Sequence, residues 1–326
     1  MNAQIYTGSA TPHDGIDRLP KAPPWRTFDG TPDACWGEDT AGLPPMPPPQ
    51  QRRGATYRGI TAEQIDAVNA ALLLRRPLLV TGKPGVGKSS LAYAVAYELQ
   101  LGPVLHWPIV SRSTVRDGLY DYDAIGRVQD AAMGAGADVA DYLRLGPLGT
   151  ALLPHDRPRA LLIDEIDKSE IDFPNDLLTI FEEGEYTVPE LARIAATRPG
   201  IEVGSADVGR KPKIQGGRVV CAAFPFILLT SNGDRDFPPA FLRRCVQLHL
   251  REPSEEQLIQ IVRAHFGDDA VILDELVEAF LAAGERGEVA TDQLLNAVYM
   301  VGRYGTGDSE GRKRVVDLLL QRLDPA

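Results

Sequence analysis

Leu78-Leu79-Val80-Thr81-Gly82-Lys83-Pro84-Gly85-Val86-Gly87-Lys88-Ser89-Ser90 is the stretch that decides the fold. A short apolar run passes into a glycine-rich turn. From Ser89 to Gln100 the apolar residues Leu91, Ala94, Val95 and Leu99 then recur at helical spacing. Strand, loop and helix in that order are the context in which GxxxxGK[ST] means a phosphate-binding loop. Its glycines let backbone N–H groups curl around phosphate oxygens at the positive end of the helix. Gly82, Pro84, Gly85, Val86, Gly87 and Ser90 are therefore read as the cradle of a nucleotide such as ATP. Lys88 spans its β and γ oxygens, and the Ser89 hydroxyl ligates Mg²⁺.

Outward from that loop, apolar runs recur at Val104–Val110, Ala160–Ile163, Phe226–Thr230 and Val246–Leu250. Continuous rather than alternating apolar strands predict a parallel sheet covered on both faces, an αβα core. After Pro253 only amphipathic helices follow, over 254–266, 271–283, 291–303 and 311–323, so a small all-helical lid domain is expected. Before the loop, Thr61-Ala-Glu-Gln64 is a capping box opening a helix that Pro77 ends. Ten of the 26 prolines lie in the first 50 residues, so residues 1–55 are expected to be an extended or disordered arm. Trp25, Phe28 and Trp36 are unusual for a bare linker, which leaves two readings open: a tail packed on its own domain, or a docking peptide. The expected division is 1–55 arm, 56–252 nucleotide domain and 253–326 lid.

The run Ala160-Leu-Leu-Ile-Asp164-Glu165 ends in two acids, which a parallel sheet carries to the same edge as the phosphate loop. Asp164 is read as a Mg²⁺ ligand and Glu165 as the group that polarises an attacking water, which separates a hydrolase from a mere binder. With 34 basic against 45 acidic residues the net charge is −11, and nucleic acid is disfavoured as a partner because such domains carry a basic stripe. No stretch approaches the roughly 18 apolar residues of a membrane span, and Asp14 and Asp17 precede the first Arg, unlike a secretory signal. A cytoplasmic chain is expected. Cys35, Cys221 and Cys245 are far apart and read as reduced thiols, with neither a zinc site nor a disulfide framework. His106, His155 and His249 show no acid partner in sequence and read as packed or surface groups, and Trp107 as core.

The order of these elements resembles AAA+ ATPases, the MoxR branch in particular, over residues 56–326. Phe226-Ile-Leu-Leu-Thr-Ser-Asn232 looks like that family's sensor-1 strand, and Pro238-Pro-Ala-Phe-Leu242-Arg243-Arg244-Cys245 like its arginine-finger segment. The resemblance implies that Asn232 positions the lytic water. It makes Arg244 the finger and Arg243 an auxiliary, reaching the γ-phosphate of an adjacent subunit in a ring, commonly a hexamer. It also implies a protein client, with a von Willebrand factor A domain protein as the usual partner of relatives. The long stretch between Val110 and Ala160 and the segment Leu177–Glu190 favour the MoxR branch, because relatives carry insertions there that face a central pore. On that basis Tyr120 and Tyr122 either grip a polypeptide or pack within the insertion. One departure stands out: relatives open a lid helix with Ser-Pro-Arg, whereas this chain has Thr291-Asp292-Gln293-Leu294. Gln293 cannot supply that positive charge, and another arginine such as Arg303 would have to. Two rivals are a nucleic-acid motor of the restriction-GTPase or replicative-helicase type, with Arg112, Arg116 and Arg127 as its basic pore, and a slow nucleotide-gated signalling scaffold.

Overall fold

A computed structural model describes residues 4–32, 34–36, 42–134, 138–267, 276–278, 280–281, 290–304 and 319. The helices are α1 (Pro48–Ala55), α2 (Ala62–Leu74), α3 (Lys88–Glu98), α4 (Val115–Leu119), α5 (Ala124–Ala132), α6 (Pro147–Ala151), α7 (Phe173–Glu183), α8 (Pro189–Ala192), α9 (Pro239–Leu242), α10 (Glu255–Phe266) and α11 (Thr291–Tyr304). The main sheet is built from β1 (Leu78–Thr81), β2 (Leu105–Pro108), β5 (Ala160–Asp164), β10 (Phe226–Ser231) and β11 (Val246–His249). Its order is β11-β1-β10-β5-β2, and every pairing is parallel.

The continuous apolar runs follow from two covered faces. Along β1, Leu78 and Val80 enter one hydrophobic cluster and Leu79 the other. In β5, Ala160 and Leu162 face the first and Leu161 and Ile163 the second, and β10 splits its Phe226–Leu229 run the same way. The edge strand β2 is covered on one face only, so Trp107 is buried, as expected of core, while His106 and Pro108 are exposed. Thr61 opens α2 with the expected capping box. Ser254 and Gln257 form another at the start of α10, which packs Leu258 and Val262 against Leu294 and Val298 of α11. The helices expected over 271–283 and 311–323 fall largely outside the described residues.

Two smaller sheets sit within the long connections. The hairpin of β3 (Tyr120–Tyr122) and β4 (Leu143–Leu145) lies between β2 and β5. An antiparallel sheet of β6 (Glu185–Thr187), β7 (Gly200–Glu202), β8 (Lys213–Gln215) and β9 (Arg218–Val220) precedes β10. They fall in the two stretches where the sequence analysis places its insertions. Tyr120 is buried under the Arg116 guanidinium, and the Tyr122 hydroxyl accepts from Arg127 at 2.8 Å, so of the two readings packing within the insertion is the one the contacts favour.

The arm departs from the expectation of an extended or disordered segment. Glu98, fully buried at the end of α3, accepts from the N–H groups of Thr7, Gly8 and Ala10 at 2.7–3.1 Å, and Asn69 Oδ1 accepts from those of Ile5 and Tyr6 at 3.0 Å. Ile5, Tyr6 and Ile16 join the core. Phe28 stacks on Phe224 and Trp36 on His155, whereas Trp25 stays 73% exposed. Residues 48–55, assigned to the arm, form α1, because Pro48 and Pro49 occupy first-turn positions where no N–H is needed. Gly54 lets α1 press onto α3, since a Cβ there would lie 2.5 Å from the Tyr93 carbonyl oxygen.

Glu98→Ala is expected to free the N-terminal segment. It removes the acceptor of three part-buried backbone N–H groups, and hydrogen bonds to a charged group contribute about 1.5–3 kcal/mol each. Limited trypsin digestion should then cut at Arg18 and Lys21 while the parent resists; equal resistance would refute the latch.

Candidate nucleotide-binding and hydrolysis site

The phosphate loop leaves the C-terminal end of β1, flanked by the ends of β10 and β11. Gly82, Gly85 and Gly87 all have positive φ, at 149°, 78° and 93°, a region that side chains resist. Gly85 also lies against the C-terminal helical part: a Cβ there would stand 2.4 Å from that of Ala290. Beside the loop a cavity of about 200 Å³ is lined by Tyr57, Arg58, Gly59, Val86, Ser90, Gln257 and Thr291 among others.

Lys88 is 7% exposed and donates from Nζ to the Gly82 and Lys83 carbonyl oxygens at 2.6 and 2.7 Å and to Asn232 Oδ1 at 2.8 Å. Burial lowers its pKa, opposed by the carboxyl groups of Asp167, Asp164 and Glu165. The Ser89 hydroxyl donates to Asp164 Oδ1 at 2.7 Å, and so does that of Thr230. Burial would raise the Asp164 pKa, but the hydrogen bonds from His106, Ser89 and Thr230 outweigh it and hold the group at about 2. The carboxyl group is thus ionised at neutral pH. A hydroxyl and a carboxylate oxygen in contact beside a phosphate loop make a hard oxygen donor set suited to Mg²⁺.

Glu165 is held in the left-handed region at φ 60° and ψ 49°, a costly conformation for a side chain with a Cβ. The Thr230 hydroxyl accepts from its N–H at 2.8 Å, and Lys168 Nζ donates to its carboxyl group at 2.6 Å. One threonine therefore fixes both acids.

Sequence reasoning missed Thr230, and it also missed Asp167. Asp167 is 3% exposed, and its Oδ2 accepts from the Ser231 hydroxyl and from the N–H groups of Asn232, Gly233 and Asp234 at 2.8–3.3 Å, shaping the turn that presents Asn232. The recurrence of an acid three residues after Asp164 was its only local signal. His106 was expected to lack an acid partner, yet its Nε2 lies 3.1 Å from Asp164 Oδ2, because β2 pairs with β5 in a register that sets His106 beside the strand end. His155 is buried and stacked as a packed group, its pKa pushed down to about 3 by burial and by the Arg159 charge.

Residues 77–245, just over half of the chain, match the model of the AAA domain, dynein-related subfamily. The chain belongs to this family. No curated protein matches it. As an AAA domain it is a nucleotide-binding P-loop ATPase, with the parallel sheet and helices that the family implies. No described helix is long and apolar enough to cross a membrane.

Two sets of expected residues of this AAA domain stand away from the cluster. Leu78 pairs with Val246, so Arg243 and Arg244, which precede β11, lie at the opposite end of the sheet from the phosphate loop. Arg244 donates from Nε to Glu182 at 2.8 Å, and Arg243 is exposed. In the C-terminal helical part, Gln293 Oε1 accepts from the Ala290 N–H at 2.8 Å, folding back on the start of α11. The Arg303 side chain lies outside the described residues. Arg53, on α1, lines the cavity together with Arg58 and Arg251, and donates to the Ser90 hydroxyl at 3.2 Å.

Proposed function

We propose that this protein is a MoxR-like AAA+ ATPase that hydrolyses ATP at the subunit interfaces of a ring, commonly a hexamer, and uses the cycle to remodel or activate a protein client. The observation that carries the reading is the linked cluster in which Ser89 bonds Asp164 and Lys88 bonds Asn232, within 2.8 Å, at the ends of three adjacent strands. In the proposed cycle, the backbone of Gly82, Pro84, Gly85, Val86, Gly87 and Ser90 wraps the phosphates. Lys88 binds the β and γ oxygens; Ser89 and Asp164 would hold Mg²⁺, which when bound would supply positive charge beside the phosphates. Glu165 draws a proton from a water that Asn232 orients. Arg244 of one subunit, with Arg243 beside it, faces the next subunit's γ-phosphate. Among the arginines that line the cavity, Arg53 and Arg251 take over the charge that Gln293 lacks. A von Willebrand factor A domain protein is the partner that the resemblance to relatives suggests.

The nucleic-acid motor is the weaker reading. Two of its three arginines are engaged within the insertions: Arg116 pairs with Glu190 at 3.1 Å and Arg127 bonds Tyr122. ATPase activity per subunit should rise with protein concentration through the assembly range and stay unchanged on adding single- or double-stranded DNA at physiological salt. Full turnover by a monomeric preparation would remove the ring from the account, and robust stimulation by DNA would favour the motor.

A further inference from the structure

Three charged side chains run from the N-terminal segment to the arginine pair. Glu182, near the C-terminal end of α7, accepts from Arg26 at 3.1 Å through Oε2 and from Arg244 at 2.8 Å through Oε1. The two cations differ in freedom. The Arg26 side chain is 5% exposed, donates to the carbonyl oxygens of Arg75 and Phe181, and lies within 5.4 Å of the centroids of the Phe28 and Phe224 rings. It is fixed by its surroundings, and so it fixes one oxygen of Glu182. Arg244 lies at the surface, and its only other bond among the described residues is from NH1 to the Ala240 carbonyl oxygen at 3.2 Å. Tethered through Nε and NH1, the guanidinium keeps its remaining N–H groups for an external anion while losing most of its rotamer freedom.

We propose that Glu182 is the positioning residue of Arg244 and that Arg26 anchors it, so that the N-terminal segment of one subunit tunes the rate of its neighbour's site. This rests on the reading of Arg244 as a trans-acting finger. Positioning rather than withholding is the role because a half-exposed ion pair is weak beside charge-assisted bonds to a triphosphate. Its geometric effect is large, since a misplacement of about 1 Å at a reacting centre costs about 10²-fold.

The test uses the full chain carrying Glu182→Ala, Glu182→Gln, Arg244→Ala and the double change Glu182→Ala with Arg244→Ala. Glu182 is 43% exposed near a helix end, where Ala is a good helix former, and Glu182→Gln keeps an acceptor for the buried Arg26 guanidinium, so cooperative thermal unfolding of each variant is checked alongside its rate. Glu182→Ala should lower kcat about tenfold or more with ATP affinity and oligomer mass unchanged, and Glu182→Gln should recover part of the loss because its amide oxygen still accepts. In the Arg244→Ala background the Glu182 change should have no further effect in single turnover. An unchanged or faster kcat in Glu182→Ala, or an equal further loss in the double variant, would overturn the proposal. A parental rate in Arg244→Ala would instead overturn the finger reading beneath it.

Discussion

Arg244→Ala should bind ATP as the parent does and hydrolyse it about 10³-fold more slowly or worse, the scale on which arginine fingers act. In the proposed ring this is an effect between subunits, and the strand register is what supports it. β1 and β11 run parallel with Leu78 opposite Val246 and Thr81 opposite His249, so the phosphate loop leaves one end of the pair and Arg244 enters at the other. Four residues at about 3.3 Å each keep the two apart within one chain. Arg243 is exposed beside it and should give a smaller loss. The check is kcat at saturating ATP and at a protein concentration where assembly is complete. An unchanged rate would mean that Arg244 does no more than pair with Glu182.

The second large effect belongs to Glu165→Gln, which should retain ATP but cleave it about 10²–10⁴-fold more slowly, the contribution of a positioned proton acceptor. The two acids are separable because their surroundings differ. Asp164 is locked by Ser89, Thr230 and His106 and stays ionised, whereas Glu165 is half exposed with Lys168 alone on its carboxyl group among the described residues. Gln at 165 preserves the left-handed backbone and the bond from its N–H to Thr230, removing the base alone. Rapid-quench measurement of a single turnover, beside an equilibrium binding titration, separates retention from cleavage. Parental cleavage would assign the base to another group.

Much of the nucleotide site was legible because its chemistry is local. Phosphate-cradling glycines must sit at positive φ between a strand and a helix, and a parallel strand ending in acids must present them at the same sheet edge. The sheet itself was legible because burial on both faces leaves no alternation to confuse the signal. The rest depends on contacts between residues far apart in sequence. Thr230 and Asp167 matter only because β10 lies beside β5, and His106 because β2 does. The arm's prolines read as an extended or disordered segment, with its aromatics leaving a packed tail or a docking peptide open, and the side chains that hold it, Glu98 on α3 and Asn69 on α2, lie in no window around residues 5–10. Tyr120 looks available on an insertion, but the Arg116 guanidinium covers its ring. Glu182 carried no signal, because its meaning lies in the two arginines 156 and 62 residues away that meet on it.

The central claim is that the loop from Gly82 to Ser89 binds the triphosphate through Lys88, and calorimetric titration of ATP into Lys88→Ala beside the parent tests it most directly. Lys88 already donates three hydrogen bonds at the junction of the loop and Asn232, so its loss removes a cation held within the loop itself. The account predicts no measurable heat of ATP binding in Lys88→Ala while its thermal unfolding stays cooperative. ATP affinity equal to the parent's would contradict it.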